Sequence, residues 1–247
     1  MKLTGNTILI TGGGSGIGRA LAHRWNALGN HVIVAGRRRE VLEEAIAGRE
    51  NMSAIELDID DPAAIRDFAR RVTQQHPALN ILVNNAGIMR EEDLTAARDL
   101  SDAEMTVTTN LLGPIRLIDA LVDHLSAQPD AAIVNMTSGL AFVPLPRAST
   151  YSATKAAMHS YTVSLREQLA ARVEVIEVAP PAVRTDLTPG QSTREGYMSL
   201  DAFADEVIDL FRIEPTPAEI CVKNVLFLRN AEAEGRFGEA LAALGSL

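Results

Sequence analysis

Short runs of apolar residues alternate with longer amphipathic stretches along most of this chain, and that alternation limits the architecture before any motif is considered. The strand-like runs are Thr7–Thr11, 31–35, 53–57, 81–84, Ala132–Met136 and 173–178. The helix-like stretches between them are 16–28, 38–49, Pro62 to about Gln75, Ser101 to about Leu125, and 150–171. Asp61-Pro62 reads as an N-cap followed by the first helical position. Ser101-Asp102-Ala103-Glu104 has the spacing of a capping box. Strands that are apolar throughout need cover on both faces, and interleaved helices supply it. The pattern predicts an α/β fold: one domain over residues 1–247, a doubly wound parallel sheet with helices on both faces. Residues 180–199 carry proline and glycine and are too long for a simple connector, so a substrate lid is expected at about 186–212. Beyond it, Leu200–Phe211 reads as a helix, Thr216-Pro217-Ala218-Glu219 as another capped helix start, and the C-terminal segment as helical over 222–228 and 239–244.

Composition narrows the function. The formal net charge is -9, which argues against nucleic-acid binding because no basic tract offsets phosphate repulsion. There is no apolar run of about 18 residues, so a membrane span is not expected. Met1-Lys2-Leu3-Thr4-Gly5 runs straight into a strand without a secretory signal. Cys221 is the only cysteine, so no internal disulfide is possible and a cytoplasmic location is expected. The five histidines, His23, His31, His76, His124 and His159, show no metal-ligand spacing, and no metal is expected.

Chemistry concentrates in two places. Thr11-Gly12-Gly13-Gly14-Ser15-Gly16-Ile17-Gly18 follows the first strand and opens the first helix. Glycine there lets backbone amides approach a pyrophosphate, and a helix N-terminus favours its charge. The literal G-x-G-x-x-G spacing is absent; Gly12, Gly16 and Gly18 form a wider pattern. A Rossmann-type dinucleotide site is the functional reading, and a plain flexible turn the bland one. The second place is Tyr151-Ser152-Ala153-Thr154-Lys155, with Ser138 one short segment upstream. Positions i and i+4 share a helix face. A phenol with a pKa near 10 is a poor acid or base at neutral pH. An ammonium about 4 Å away at an effective dielectric near 20 is worth about 4 kcal/mol, enough to lower that pKa by about two to three units. Singly, each of these side chains reads as an ordinary helix or turn residue.

Taken together, Thr11–Gly18, Asn84-Asn85-Ala86-Gly87, Asn110, Ser138 and the Tyr151/Lys155 pair resemble the short-chain dehydrogenase/reductase family in order and spacing, over about residues 2–185. The stretches 177–181 and 231–237 resemble its DltE-like branch. The resemblance implies Tyr151 as proton donor and acceptor, Lys155 lowering its pKa and holding the nicotinamide ribose, and Ser138 bonding the substrate oxygen. It implies that Asn110 holds a helix geometry and a water that extends the proton path. It places Gly12, Ser15, Gly16, Ile17, Gly18, Asn85, Ala86 and Gly87 against the dinucleotide, Asp58 and Ile59 near the adenine, and Val183 and Thr185 at the carboxamide. Pro181 stands where family members commonly have glycine, and proline has no amide to donate.

An acid at the end of the second strand would select NAD through the ribose 2′-hydroxyl. Here Gly36 stands in that place, followed by Arg37-Arg38-Arg39. Arginine suits a phosphate, so NADP(H) is expected ahead of NAD(H), with Arg37 as the main 2′-phosphate contact and Arg38 as a helper. The substrate pocket is expected to involve Met89, Leu140, Phe142, Tyr197 and Met198, mostly apolar side chains that suit an uncharged ketone or alcohol. Arg90 and Arg147 are the alternative, as carboxylate ligands. The expected partners are a small-molecule carbonyl or alcohol and a second copy of the chain. The helical C-terminus argues against the family's usual tetramer contact on a seventh strand, which leaves a homodimer through the 101–125 and 150–171 helices. The competing function is a cofactor-binding regulator or cell-envelope interaction protein without turnover.

Overall fold

Isoleucine, leucine and valine fill the strand centres, and the sheet they form is buried on both faces. The computed structural model describes residues 1–246. β1 (Thr7–Thr11), β2 (His31–Gly36), β3 (Met52–Glu56), β4 (Leu79–Asn84), β5 (Ala132–Met136), β6 (Glu174–Val178) and β7 (Glu219–Ile220) form one sheet in the order β3-β2-β1-β4-β5-β6-β7. Every pairing is parallel. On one face α1 (Gly16–Ala27), α2 (Arg39–Ile46) and α7 (Leu200–Phe211) bring Trp25, Leu42, Phe203 and Phe211 against Ile10, Val34 and Ile176. On the other, α3 (Pro62–Gln75), α5 (Gly113–Ser126) and α6 (Ser149–Leu169) bring Phe68, Leu121 and Leu165 against Leu9, Leu82 and Val175. The chain winds outward in both directions from the β1/β4 pair. The crevice at the carboxyl ends of those strands is where such sheets bind ligands.

Local signals hold in part. Asp61 caps α3, its carboxylate accepting from Ala63 N at 2.7 Å. The capping box at Ser101 does not form. Leu100 is the N-cap of α4 (Ser101–Val107), and the Ser101 amide and hydroxyl donate to the Asp99 carboxylate instead. An aspartate two residues upstream reaches the same donors, as Asx turns do. The single long helix expected to about Leu125 is three segments: α4, a π-helical turn over Thr108–Leu112, and α5. Pro114 lacks the N–H that would bond the Asn110 carbonyl in an unbroken α-ladder.

The largest departure is at residue 216. Thr216–Glu219 opens no helix; Glu219 and Ile220 pair with Glu177 and Val178 as a short seventh strand. Glu177 N donates to Ala218 O and Ala179 N to Ile220 O, because the edge of β6 otherwise presents unpaired amides. The Thr216 hydroxyl accepts from the Met1 amino group rather than capping a helix. The helical expectation resumes after it with a turn at Lys223–Val225, α8 (Leu226–Arg229) and α9 (Phe237–Gly245). Of the span expected as a lid, residues 186–199 lack strand and regular α-helix, whereas α7 belongs to the core with Phe203 and Val207 fully buried.

Candidate active site

The site begins where β1 ends. Thr11 Oγ1 accepts from Asn85 N at 3.0 Å and Ala86 N at 3.1 Å, and Asn85 Nδ2 donates back to Thr11 O at 3.0 Å. These bonds tie the turn after β4 beneath the turn after β1. The approach is so close that a Cβ on Gly12 would lie 2.9 Å from Ala86 Cα, and one on Gly18 2.4 Å from Gly12 O. Gly12 also takes φ 65°, open to glycine at little cost. Ser15 is the N-cap of α1, yet its side chain makes no cap hydrogen bond. The amides of the first turn are therefore left for a ligand, and an anion suits them. The close-packed glycines and these uncapped amides fit a dinucleotide pyrophosphate.

A groove of about 780 Å³ runs across this crevice. Arg37, Arg38 and Ile59 line one end; Gly12, Ser15, Gly16, Ile17, Asn85, Ala86 and Gly87 line its middle. Ser138, Tyr151, Lys155, Val183 and Thr185 line the other end. Two expected cofactor contacts lie elsewhere. Gly18 is buried against Asn85 and Gly12, so it serves packing. Asp58 faces a neighbouring recess beside Arg37, Arg70 and Arg71, and its carboxylate accepts from Asp60 N at 3.0 Å. Sequence reasoning missed Arg19, Thr109 and Gln191, which also line the groove. Gln191 Nε2 donates to Val183 O at 2.8 Å and Thr185 Oγ1 at 3.2 Å, tying residues 183–185 to the irregular segment after β6. A glutamine in an irregular loop gives no local signal of that role.

Tyr151 and Lys155 share a face of α6 and are 8% and 5% exposed. Lys155 Nζ donates to Met136 O at 2.8 Å and lies 5.6 Å from the Tyr151 ring centroid. Burial pushes the Tyr151 phenol up to about 12, with the Ser138 side chain pulling the other way. Burial brings Lys155 down to about 8. The acidification of the phenol expected from the lysine alone is thus reversed by loss of hydration. At neutral pH the pair is a neutral phenol beside an ammonium. Asn110 sits in the π-helical turn, accepts from Ile88 N and donates to Ile88 O, both at 2.8 Å. Gly87 makes room for it: a Cβ there would lie 3.2 Å from Asn110 Oδ1 and 3.8 Å from Lys155 Nζ.

Beside Tyr151, Leu145 and Ala148 form a buried apolar cluster with Met89, Leu140 and Leu244. Leu244 comes from α9, and sequence reasoning missed it because nothing local marks where a terminal helix docks. Three expected substrate residues are elsewhere. The Phe142 ring lies 5.1 Å from the His159 ring and 4.7 Å from the Arg229 guanidinium. Tyr197 stacks under Arg194. Met198 pairs with Val183 and packs on the core. Arg90 and Arg147 are engaged by Asp102 at 3.8 Å and Glu91 at 2.9 Å.

Comparison with known proteins agrees with this geometry. The pattern of the short chain dehydrogenase family matches residues 6–196. The uncharacterized oxidoreductase DltE of Bacillus subtilis (strain 168) is 40% identical over 235 residues, covering 94% of this chain and 93% of that protein. A short chain dehydrogenase from Burkholderia cenocepacia J2315, solved in complex with NADP, superposes with a TM-score of 0.82 at 25% identity, covering 98% of each chain. A short chain dehydrogenase/reductase from Burkholderia phymatum, solved in complex with NAD, gives a TM-score of 0.83 at 20% identity over 96% of each chain, a likeness of fold. With the glycine turn, the groove and the serine, tyrosine and lysine at its end, this chain belongs to the short chain dehydrogenase family.

Proposed function

We propose that this protein is an NADP(H)-dependent oxidoreductase that interconverts an uncharged ketone and a secondary alcohol. One observation carries the reading: the Tyr151, Lys155 and Ser138 side chains line the same groove as Arg37 and Arg38. Arg37 Nη1 is 3.5 Å from Asp60 Oδ2, and its side chain is 56% exposed, free to turn to a phosphate. Arg37 and Arg38 receive the 2′-phosphate, Ile59 the adenine, the amides after Gly12 the pyrophosphate, and Val183 and Thr185 the carboxamide. When bound, the reduced cofactor supplies the hydride.

The chain's own groups do the rest. Negative charge grows on the substrate oxygen as the carbonyl is reduced, and donors already in place stabilise it. Tyr151 donates its proton to that oxygen, and Ser138 donates a hydrogen bond to the same atom. Lys155 keeps a positive charge beside the phenol, which favours loss of the phenolic proton. In the reverse direction Tyr151 takes the proton back. Asn110 fixes the strand-end segment through Ile88 and so shapes the wall beside Lys155. Met89, Leu140 and Leu244 offer the substrate an apolar flank, which supports an uncharged substrate.

The protein works in the cytoplasm as a homodimer. No helix among the described residues is long and apolar enough to cross a membrane. Burial pushes the Cys221 thiol up to about 11, so it is a poor nucleophile. Met105, Leu112 and Val163 are exposed apolar side chains on α4, the π-helical turn and α6, and they favour the dimer. A panel of neutral ketones and secondary alcohols, followed through nicotinamide absorbance with both NADP(H) and NAD(H), tests the reading. Turnover with NADPH that Tyr151→Phe removes is the expected result. Equal turnover in that variant overturns the mechanism, and a preference for NADH overturns the cofactor assignment.

A further inference from the structure

The most buried acid in the fold is outside the proton-transfer groups. Glu177, on β6, is fully buried. Its Oε1 accepts from Thr137 Oγ1 at 2.6 Å, and its Oε2 lies 2.7 Å from His159 Nδ1, one helical turn beyond Lys155 on α6. Thr137 directly precedes Ser138. Five residues on, Phe142 sets its ring edge-on to His159 at 5.1 Å and beneath the Arg229 guanidinium at 4.7 Å. Arg229 forks onto Glu219 of β7 at 2.6 and 3.1 Å. His159, Glu177 and Glu219 bring a ring nitrogen and two carboxylates within 4.8 Å of one another, and Arg229 supplies positive charge there. The segment 137–142 is thus held at both ends by one polar network, with Ser138 between. Leu140 N donates to Ser138 Oγ at 3.1 Å, so the hydroxyl's direction depends on how that segment sits.

A buried carboxylate is costly unless it is fully hydrogen-bonded. An apolar pair of the same volume is often as stable as a buried polar one. Stability alone therefore gives no reason for an acid at this position. Catalysis does, because misplacing a catalytic group by about 1 Å costs roughly 100-fold in rate.

We infer that Glu177 and His159 are positioning residues that fix Ser138 at the substrate oxygen, acting through Thr137 at one end of its turn and Phe142 at the other. The inference rests on Ser138 acting as proposed above.

Thr137→Val removes one tie while keeping shape. Glu177→Leu removes both carboxylate oxygens, the one that accepts from Thr137 and the one beside His159 Nδ1. Each is expected to lower kcat about 10- to 100-fold with NADPH affinity unchanged. In a Ser138→Ala background the same substitutions are expected to change kcat by less than about twofold, since coupled residues are not additive. An equal loss in both backgrounds overturns the inference, because the damage then bypasses Ser138. A second readout needs no turnover: the Leu140 amide should exchange with solvent faster in both variants than in the parent, and an Arg70→Ala surface control should match the parent. Faster Leu140 exchange in variants of a protein that turns over no carbonyl sinks the proposed function, and with it the role at the substrate oxygen, and leaves only the structural tie between Glu177 and the Ser138 turn. Unchanged Leu140 exchange with turnover intact sinks the positioning role alone.

Discussion

Burial moves Tyr151 and Lys155 in opposite directions, and both directions disfavour charge. For Lys155, a folded-state value of about 8 lies below its ordinary 10.5. The unfolded chain therefore holds the extra proton between those limits, and stability contributed by this site rises with pH across that window. Below pH 8 the buried ammonium costs about 3 kcal/mol. Lys155→Met is expected to abolish turnover yet to raise stability at pH 7 by about 1–3 kcal/mol, less the hydrogen bond lost at Met136 O. Thermal melts from pH 7 to 10 check this: the gap between variant and parent should shrink as pH rises. At the other end of the groove Arg37 is the proposed determinant of cofactor choice. Arg37→Asp is expected to weaken NADPH binding about 100-fold, near 3 kcal/mol, and to leave NADH binding within a few-fold; fluorescence titration reads both.

At the scale of the element, the π-helical turn at Thr108–Leu112 and helix α9 matter most. The π turn carries Asn110 inward, where one side chain satisfies both polar groups of Ile88. Such turns cluster at functional sites because they re-aim side chains without ending a helix. Helix α9 docks through Ala240, Leu241 and Leu244 on Val143, Ala231 and Leu228, and Leu244 continues into the cluster beside Tyr151. Helix α9 thus completes the apolar cluster that we propose as the substrate flank. Leu244→Ala is expected to raise relative kcat/KM for ketones with a bulkier flank by about tenfold, the range a few methylenes command in an apolar pocket. Steady-state rates on a homologous ketone series measure it, with NADPH affinity as the unchanged reference.

The whole molecule places its site by topology. Strands β1 and β4 lie side by side while their connections diverge, and the crevice between them receives the groove. The exposed Met105, Leu112 and Val163 are the proposed association surface at this scale. Leu112→Arg is expected to turn a homodimer into monomers, by desolvating a charge at the contact. Light scattering on parent and variant decides: an unchanged mass places the interface elsewhere.

The apolar strands, the glycine turn, the Asp61-Pro62 helix start and the spacing of Tyr151 and Lys155 were readable in the sequence because each is a local pattern with a local cause. Hydrophobic periodicity, backbone freedom and helix geometry act over a few residues. Thr216–Glu219 was not readable: its own residues favour a helix start, and the unpaired amides on the edge of β6 take it as a strand. The same holds for Asp99 taking the donors of Ser101, for Phe142 turning to His159 and Arg229, and for Leu244 reaching Tyr151. The charge states of Tyr151 and Lys155 also belong to the tertiary structure, since spacing gives their attraction but only packing sets the hydration they lose. Local chemistry determined which residues this chain brings to its site; desolvation and edge pairing, which act between distant segments, decided how those residues are held.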